Sequence, residues 1–145
     1  MKNNLIVILG STASGKTSLA VKLACEIDGE IISADSRQVY RGMDLGTGKD
    51  LTEYHVEGRF IPYHMIDIID PEEEFNLFQF QRRFVRCFQE IHERERIAML
   101  VGGTGLYLES VLLNYRLKEV PENQEMRAQW SHLGMEELVQ LYLSM

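Results

Sequence analysis

Leu5-Ile6-Val7-Ile8-Leu9-Gly10-Ser11-Thr12-Ala13-Ser14-Gly15-Lys16-Thr17, near the start of a chain of 145 residues, is the stretch that decides the fold. Its first five residues are a short, continuous apolar run, which reads as a buried parallel strand. The next eight match Gly-x-x-x-x-Gly-Lys-Ser/Thr. Glycine lets the backbone curl so that several N–H groups face one anion. Leu19, Ala20, Leu23, Ala24 and Ile27 then recur at helical spacing, and Asp28-Gly29 ends the helix. The positive end of that helix points at the same spot. Lys16 is placed to reach the terminal phosphates, and the Thr17 hydroxyl to hold Mg²⁺. A random chain of this length would match the pattern about once in 200 tries at ordinary residue frequencies. Gly10, Ser11, Thr12, Ala13, Ser14, Gly15, Lys16 and Thr17 are therefore the candidate phosphate or pyrophosphate site. The motif alone does not say which phosphate compound binds.

Working outward, Glu30–Ser33 reads as a second strand, so the opening has the size of a βαβ unit. Residues 34–60 show little periodicity and many glycines, and read as a functional loop with short helical pieces. Ile61–Ile69 is apolar and holds a third strand near Tyr63–Ile66, before an Asp70-Pro71 turn. Leu77–Glu93 is the clearest helix: Leu77, Phe80, Phe84, Phe88 and Ile91 line one face. Asn76 and Gln79 fit a capping box, and Glu72, Glu73 and Glu74 precede the positive helix end. Ile97–Val101 is a fourth strand, and Gly102-Gly103-Thr104-Gly105 turns it into a helix over Leu106–Leu113. Beyond Pro121 two helical pieces split near Gly134. Alternating strands and helices imply an α/β fold with a mainly parallel sheet. The last helix has no cap or polar tail, so the chain is expected to be one domain, incomplete at its C-terminus.

Composition narrows the function classes. Hydrophobic residues make up 45% and charged residues 26%, as in an ordinary globular domain, which excludes disorder and collagen-like repeats. Fifteen basic against 22 acidic residues give a net charge of −7, which argues against broad nucleic-acid binding, and DNA is not expected as a partner. No apolar run approaches the ~18 residues of a membrane span, and no signal peptide is seen, so no membrane partner and a cytoplasmic location are expected. Cys25 and Cys87 read as plain buried apolar residues. His55, His64, His92 and His132 are scattered, without zinc-ligand spacing.

Ligands collect at the carboxyl ends of parallel strands, so Asp35 is placed beside the phosphate loop. There it either takes a proton from a nucleophile or caps the next turn. The Gly102–Gly105 turn brings a third strand end, with the Thr104 hydroxyl, to the same rim. A phosphoryl-transferring enzyme of this type usually has a metal-binding Asp at a strand end. Here that strand ends in Gly-Gly, and Asp67 or Asp70 would have to serve instead. Arg82, Arg83, Arg86, Arg94 and Arg96 form a basic cluster, read either as a solvated helix face or as a contact to RNA phosphate.

The phosphate loop, then Ile31-Ile32-Ser33-Ala34-Asp35-Ser36-Arg37-Gln38-Val39-Tyr40-Arg41-Gly42-Met43-Asp44, then Ile66-Asp67-Ile68 with Asp70-Pro71, then Leu100-Val101-Gly102-Gly103-Thr104-Gly105-Leu106-Tyr107, together resemble the tRNA dimethylallyltransferase (tRNA isopentenyltransferase) family. The resemblance implies a three-layer fold like that of the P-loop NTPases. It implies transfer of a dimethylallyl group from dimethylallyl diphosphate to N6 of the adenine adjacent to the tRNA anticodon, with Mg²⁺ as cofactor. Gly10 to Thr17 match the pyrophosphate site, with Lys16 counted among the catalytic groups. Asp35 matches the general base. Ser36, Arg37 and Gln38 match the segment that contacts the flipped-out base, Thr104 a hydroxyl at the reacting centre, and Arg127 a tRNA-contacting position. Gly46-Thr47-Gly48-Lys49-Asp50 stands where many members have Gly-Thr-Ala-Lys-Pro. Family members are longer, and their extra segment supplies more of the catalytic core and most of the tRNA surface. Three other readings stay open: an adenylate-type isopentenyltransferase, a small-molecule kinase using ATP, and a truncated, non-catalytic diphosphate-binding domain.

Overall fold

A computed structural model describes residues 4–144. In chain order the elements are β1 (Leu5–Leu9), α1 (Lys16–Ile27), β2 (Gly29–Ala34), a 3-10 turn (Leu51–Tyr54), β3 (His55–Val56), β4 (Arg59–Phe60), β5 (Tyr63–His64), α2 (Leu77–Glu93), β6 (Ile97–Gly102), α3 (Gly105–Leu112), α4 (Gln124–Trp130) and α5 (Met135–Ser144). Strands β1, β6, β2 and β5 lie side by side in that order, all parallel, and β3 and β4 pair as a small antiparallel hairpin.

The period of two along each strand sorts the core into two halves. Ile32, Ala34, Ala98 and Leu100 face α2 and α3, where Phe80, Phe84, Ile91, Tyr107 and Leu108 cover them. Ile31, Met99 and Val101 face α1, where Ala20, Val21 and Ala24 cover them. The result is the expected three-layer α/β sandwich. Asn76 and Gln79 form the capping box that starts α2, through bonds of 3.0 Å in each direction.

Three expectations need correction. β1 does not read as a fully buried strand: among the described residues it pairs only with β6, so Leu5 to Ile8 are half-buried and Leu9 is exposed. The third strand is shorter than Tyr63–Ile66, because Met65 and Asp67 adopt left-handed φ angles of 67° and 54° and break the extended run. Beyond that break, Ile68 and Ile69 run parallel to Val39–Arg41 instead, with a bridge from Tyr40 to Ile69. Cys25 and Cys87 are free but only half-buried, packed at the margins of the two core halves. Burial pushes the Cys87 thiol above its ordinary pKa, which keeps it protonated and unreactive.

The end of the sheet opposite the phosphate loop is closed by ionic contacts. Glu30 is buried at the start of β2. Arg94 grips it with both Nε (2.9 Å) and Nη2 (2.7 Å), Arg96 adds a contact at 3.3 Å, and His64 Nε2 lies 2.6 Å from Oε2. Burial alone would raise the Glu30 pKa; the hydrogen bonds and charges of Arg94 and His64 outweigh it and hold the carboxyl down to about 2. At the other end, Gly102 lies against the backbone of Ala34, and a Cβ there would collide with Ala34 carbonyl and Cα atoms.

Because Glu30 is held below its ordinary value of 4.5, its contribution is fully present above that pH and fades as pH falls toward 2. It is worth on the order of 3 kcal/mol. Urea unfolding followed from about pH 6 to about pH 2.5 is expected to show this loss in the native sequence and a flatter profile in Glu30→Gln. Gly102→Ala is expected to cost about 3 kcal/mol or more, since backbone rather than a flexible side chain must yield, and the same urea titration at neutral pH measures it.

Candidate functional site

The phosphate loop leaves β1 at Leu9 and enters α1 at Lys16. Ala13 (φ 60°) and Gly15 (φ 80°) take the left-handed conformation that curls it. Gly15 is the N-cap of α1 and lends no side chain to the helix start, so the first backbone N–H groups face the loop's hollow. Lys16 folds back over the loop, its Nζ 2.5 Å from the Ser11 carbonyl. Gly103 presses against the loop from the end of β6: a Cβ there would lie 3.1 Å from the Gly10 carbonyl and 4.0 Å from Lys16 Nζ.

These pieces enclose a cleft of about 200 Å³ at the carboxyl ends of β1, β2 and β6. Thr12 to Thr17 form one wall, Gly102 and Gly103 the floor, and Ser33, Asp35 and Gln38 the side toward β2. Asp35 caps the next turn, one of the two roles the sequence allowed, and also lines the cleft. Its Oδ1 accepts the Arg37 N–H at 2.9 Å, tightening the turn after β2, while among the described residues Oδ2 accepts no hydrogen bond. Thr104, the N-cap of α3, accepts the Ser36 N–H at 3.1 Å and lies 3.5 Å from the Ser36 hydroxyl. Its own N–H donates to the Ala34 carbonyl at 3.2 Å. A cleft of similar size, about 190 Å³, opens near the start of β6 beside His92 and Arg96, but it has no glycine turn and no helix N-terminus.

The far wall comes from residues to which the sequence reading gave no role: Thr47, Gly48, Glu53 and Tyr54. Gln38 ties this wall to β2, its Nε2 donating to the Gly48 carbonyl (3.2 Å) and its Oε1 accepting from Ser33 Oγ (3.1 Å). Asp50, where the resembled family often has Pro, caps the 3-10 turn by accepting the Thr52 N–H at 3.0 Å and the Thr52 hydroxyl at 2.5 Å. The glycine density of 42–48 was the one signal of this wall, and it pointed to a loop without saying where the loop lies.

Several candidate residues lie elsewhere. Arg37 is exposed and joins the cleft edge only through its backbone N–H. Arg127 stands on α4, paired with Glu122 at 2.8 Å, and does not line the cleft. The basic cluster does not act as one patch: Arg94 and Arg96 are bound to Glu30, Arg86 pairs with Glu90 at 2.8 Å, and Arg82 and Arg83 lie over Phe78 and Phe75. Asp67 and Asp70 are not free for a metal, being held by Lys49 and Arg41. Among the described residues no group of three His, Cys, Asp or Glu side chains could hold a metal ion by itself. Thr17, Asp35 and Glu53 do line the same cleft, a sparse oxygen set suited to an ion that keeps waters and shares phosphate oxygens.

Comparison with known proteins agrees with this geometry. The family model described as IPP transferase matches residues 38–144, and that described as isopentenyl transferase matches residues 3–64. A protein of Syntrophus aciditrophicus named tRNA dimethylallyltransferase 1 is 59% identical over 143 residues, which is 99% of this chain and 47% of that protein. The full-length tRNA isopentenylpyrophosphate transferase of Bacillus halodurans has a similar structure, with a TM-score of 0.75 and 43% identity over 94% of this chain and 46% of its own. A eukaryotic dimethylallyltransferase acting on tRNA gives a TM-score of 0.75 at 32% identity over 90% of this chain and 32% of its own. The chain thus spans about half the length of the curated relatives it matches. With the phosphate loop, the Asp35 turn and the Gly102–Gly105 turn on one rim, and with relatives at this level of identity along almost all of its length, the chain belongs to the IPP transferase family.

Proposed function

We propose that this chain carries the prenyl-donor site and the general base of an enzyme that moves a dimethylallyl group from dimethylallyl diphosphate to N6 of the adenine adjacent to a tRNA anticodon. The observation that carries the reading is a single cleft in which the phosphate loop and Asp35 face the same space of about 200 Å³. The names of the relatives supply the substrate class. In this reading the C1–O bond of the donor breaks and its electron pair leaves with pyrophosphate. The N6 lone pair forms the new C–N bond at C1, and one N6 proton passes to Asp35 Oδ2.

The chain's own groups match those needs. Negative charge grows on the diphosphate as the bond breaks, and the N–H groups of Gly10–Thr17 with the Lys16 ammonium are preset to receive it. An adenine amino group is a poor nucleophile, so it needs a carboxylate that orients it and takes its proton. Ser36, next to Asp35, donates its backbone N–H to Thr104 Oγ1 at 3.1 Å, which ties the Asp35 turn to the turn after β6, although neither residue lines the cleft itself. Mg²⁺ fits the Thr17 hydroxyl beside the phosphate loop, where it would add charge to the leaving-group side. A base reaches this cleft only by leaving its stack, which suits an unpaired loop of RNA. The kinase reading loses support because β6 ends in glycines and the nearby Asp67 and Asp70 are engaged in ion pairs.

The test joins residues 1–144 to the second half of the Syntrophus aciditrophicus relative and measures prenyl transfer to an anticodon stem-loop. Asp35→Asn is expected to lower turnover by about 10²–10⁴-fold, with pyrophosphate affinity of the chain unchanged by calorimetric titration. Lys16→Ala is expected to weaken pyrophosphate binding by about tenfold or more, the loss of one charge-assisted contact. Normal transfer by Asp35→Asn, or steady ATP turnover on a small acceptor, would overturn the reading.

A further inference from the structure

Lys49 is a charged side chain that the proposed chemistry does not use. It is 1% exposed, and its Nζ donates to the Tyr40 carbonyl at 2.8 Å, Asp44 Oδ1 at 3.0 Å and Asp67 Oδ1 at 2.5 Å. An ammonium has three protons, so its donor capacity is filled and none remains for a phosphate. The three partners sit on three separate stretches: the run after Asp35, the glycine turn, and the segment that follows β5.

Inside the turn, Thr47 Oγ1 donates to the Met43 and Asp44 carbonyls at 2.8 and 3.3 Å, and just before it Arg41 bonds Asp70 and the Ile68 carbonyl. Residues 41–46 are exposed, Leu45 to 97%, and Cβ atoms built at Gly42, Gly46 and Gly48 would meet nothing within 4 Å. Yet Gly48, next to Lys49, is the residue whose carbonyl receives the Gln38 amide. Asp67 closes the circuit, since its N–H donates to the Gln38 carbonyl at 3.0 Å. Lys49, Asp67, Gln38 and Gly48 therefore form a ring of contacts around the acceptor side of the cleft, and the buried Lys49 ammonium joins that ring to Asp44 on the turn. Ordering a lysine this fully costs side-chain entropy and hydration, and only its simultaneous bonds offset that cost.

We propose that Lys49 is a positioning residue, whose ammonium fastens the Gly42–Gly48 turn to Asp67 so that Gln38 and Gly48 hold the acceptor side of the cleft in shape before substrate arrives. The proposal rests on the transfer reading above, in which Gln38 belongs to the acceptor side and the phosphate loop to the donor.

Two measurements test it. In the 145-residue chain, Lys49→Met keeps the length of the side chain and removes its charge; hydrogen exchange of the Asp67 amide, which closes the ring on Gln38, and of the Arg41 amide, which precedes the turn, is expected to quicken about tenfold or more while β6 amides keep their protection. In the joined enzyme the same change is expected to raise KM for the anticodon stem-loop about tenfold and leave KM for dimethylallyl diphosphate within about twofold. Asp67→Asn is expected to act in the same direction, and the double variant to be no worse than Lys49→Met, because Lys49→Met already removes the contact that Asp67→Asn weakens. Unchanged exchange at Arg41 and Asp67 would overturn the proposal, as would faster exchange throughout the sheet or an equal rise in both KM values. If the unsubstituted joined enzyme prenylates no RNA, the transfer reading fails, and the exchange experiment by itself decides whether Lys49 holds the turn.

Discussion

Two positions without side chains hold the site together. At Gly102 the backbone of β6 meets the backbone of Ala34 in β2, and at Gly103 it meets the Gly10 carbonyl of the phosphate loop. Close backbone approach of this kind is open only to glycine. Because β6 lies between β1 and β2, these two contacts draw both neighbouring strand ends toward one point. The Thr104 N–H then reaches the Ala34 carbonyl, and its hydroxyl receives the Ser36 N–H. The same constraint bears on chemistry. A strand-end carboxylate of the kind phosphoryl-transfer enzymes use has no room at Gly102, where even a Cβ would collide with backbone.

Charge is partitioned along the sheet rather than spread over it. Glu30 gathers Arg94, Arg96 and His64 at one end, and Lys49 is taken up by Asp44 and Asp67 near the other. Arg41 is spent on Asp70 and Arg86 on Glu90. Of the described residues that line the phosphate cleft, Lys16 alone carries a positive side chain. An acidic chain of net charge −7 can therefore hold an anion site, because the site depends on aligned N–H groups, a helix terminus and one lysine. Partners and burial set how each of these pairs is valued: Glu30 is worth much because the two hydrogen bonds from Arg94 and the contacts of Arg96 and His64 outweigh its desolvation, whereas the exposed Arg86–Glu90 pair is worth little.

The sequence made the parts legible wherever local chemistry is decisive. The span of α2, its capping box and its Phe80–Phe84–Ile91 face follow from spacing alone. The phosphate loop and the placement of Asp35 and the Gly102–Gly105 turn on one rim follow from a motif and from the topology of parallel strands. What could not be read was non-local. Nothing in Leu5–Leu9 distinguishes a central strand from one with a single neighbour, because both are apolar. Met65 and Asp67 are ordinary residues held in left-handed backbone by the contacts of the folded chain. Gln38, placed from family resemblance as a base contact, has its amide bonded to Ser33 and Gly48, a pairing set by how the glycine turn folds back. The five arginines looked like one basic patch because Glu30, which takes two of them, lies more than sixty residues away in sequence.

The two halves of the cleft differ in what makes them firm. The phosphate loop hangs from β1, which among the described residues has one hydrogen-bonded neighbour, so its position depends on β6 and on α1 rather than on a strand at its other side. That dependence suffices, because the loop is short, its glycine contacts are with backbone, and its helix is packed through Ala20, Val21 and Ala24. The opposite wall is longer, glycine-rich and largely exposed, and its order comes from a few polar bonds that converge on Gln38 and Lys49. Under the proposed transfer reading, a donor that always presents the same diphosphate suits the first kind of wall, which is built in advance from backbone. In the same reading, an acceptor that arrives as one base of a large folded RNA suits the second, in which a few side-chain bonds fix the shape before the base enters.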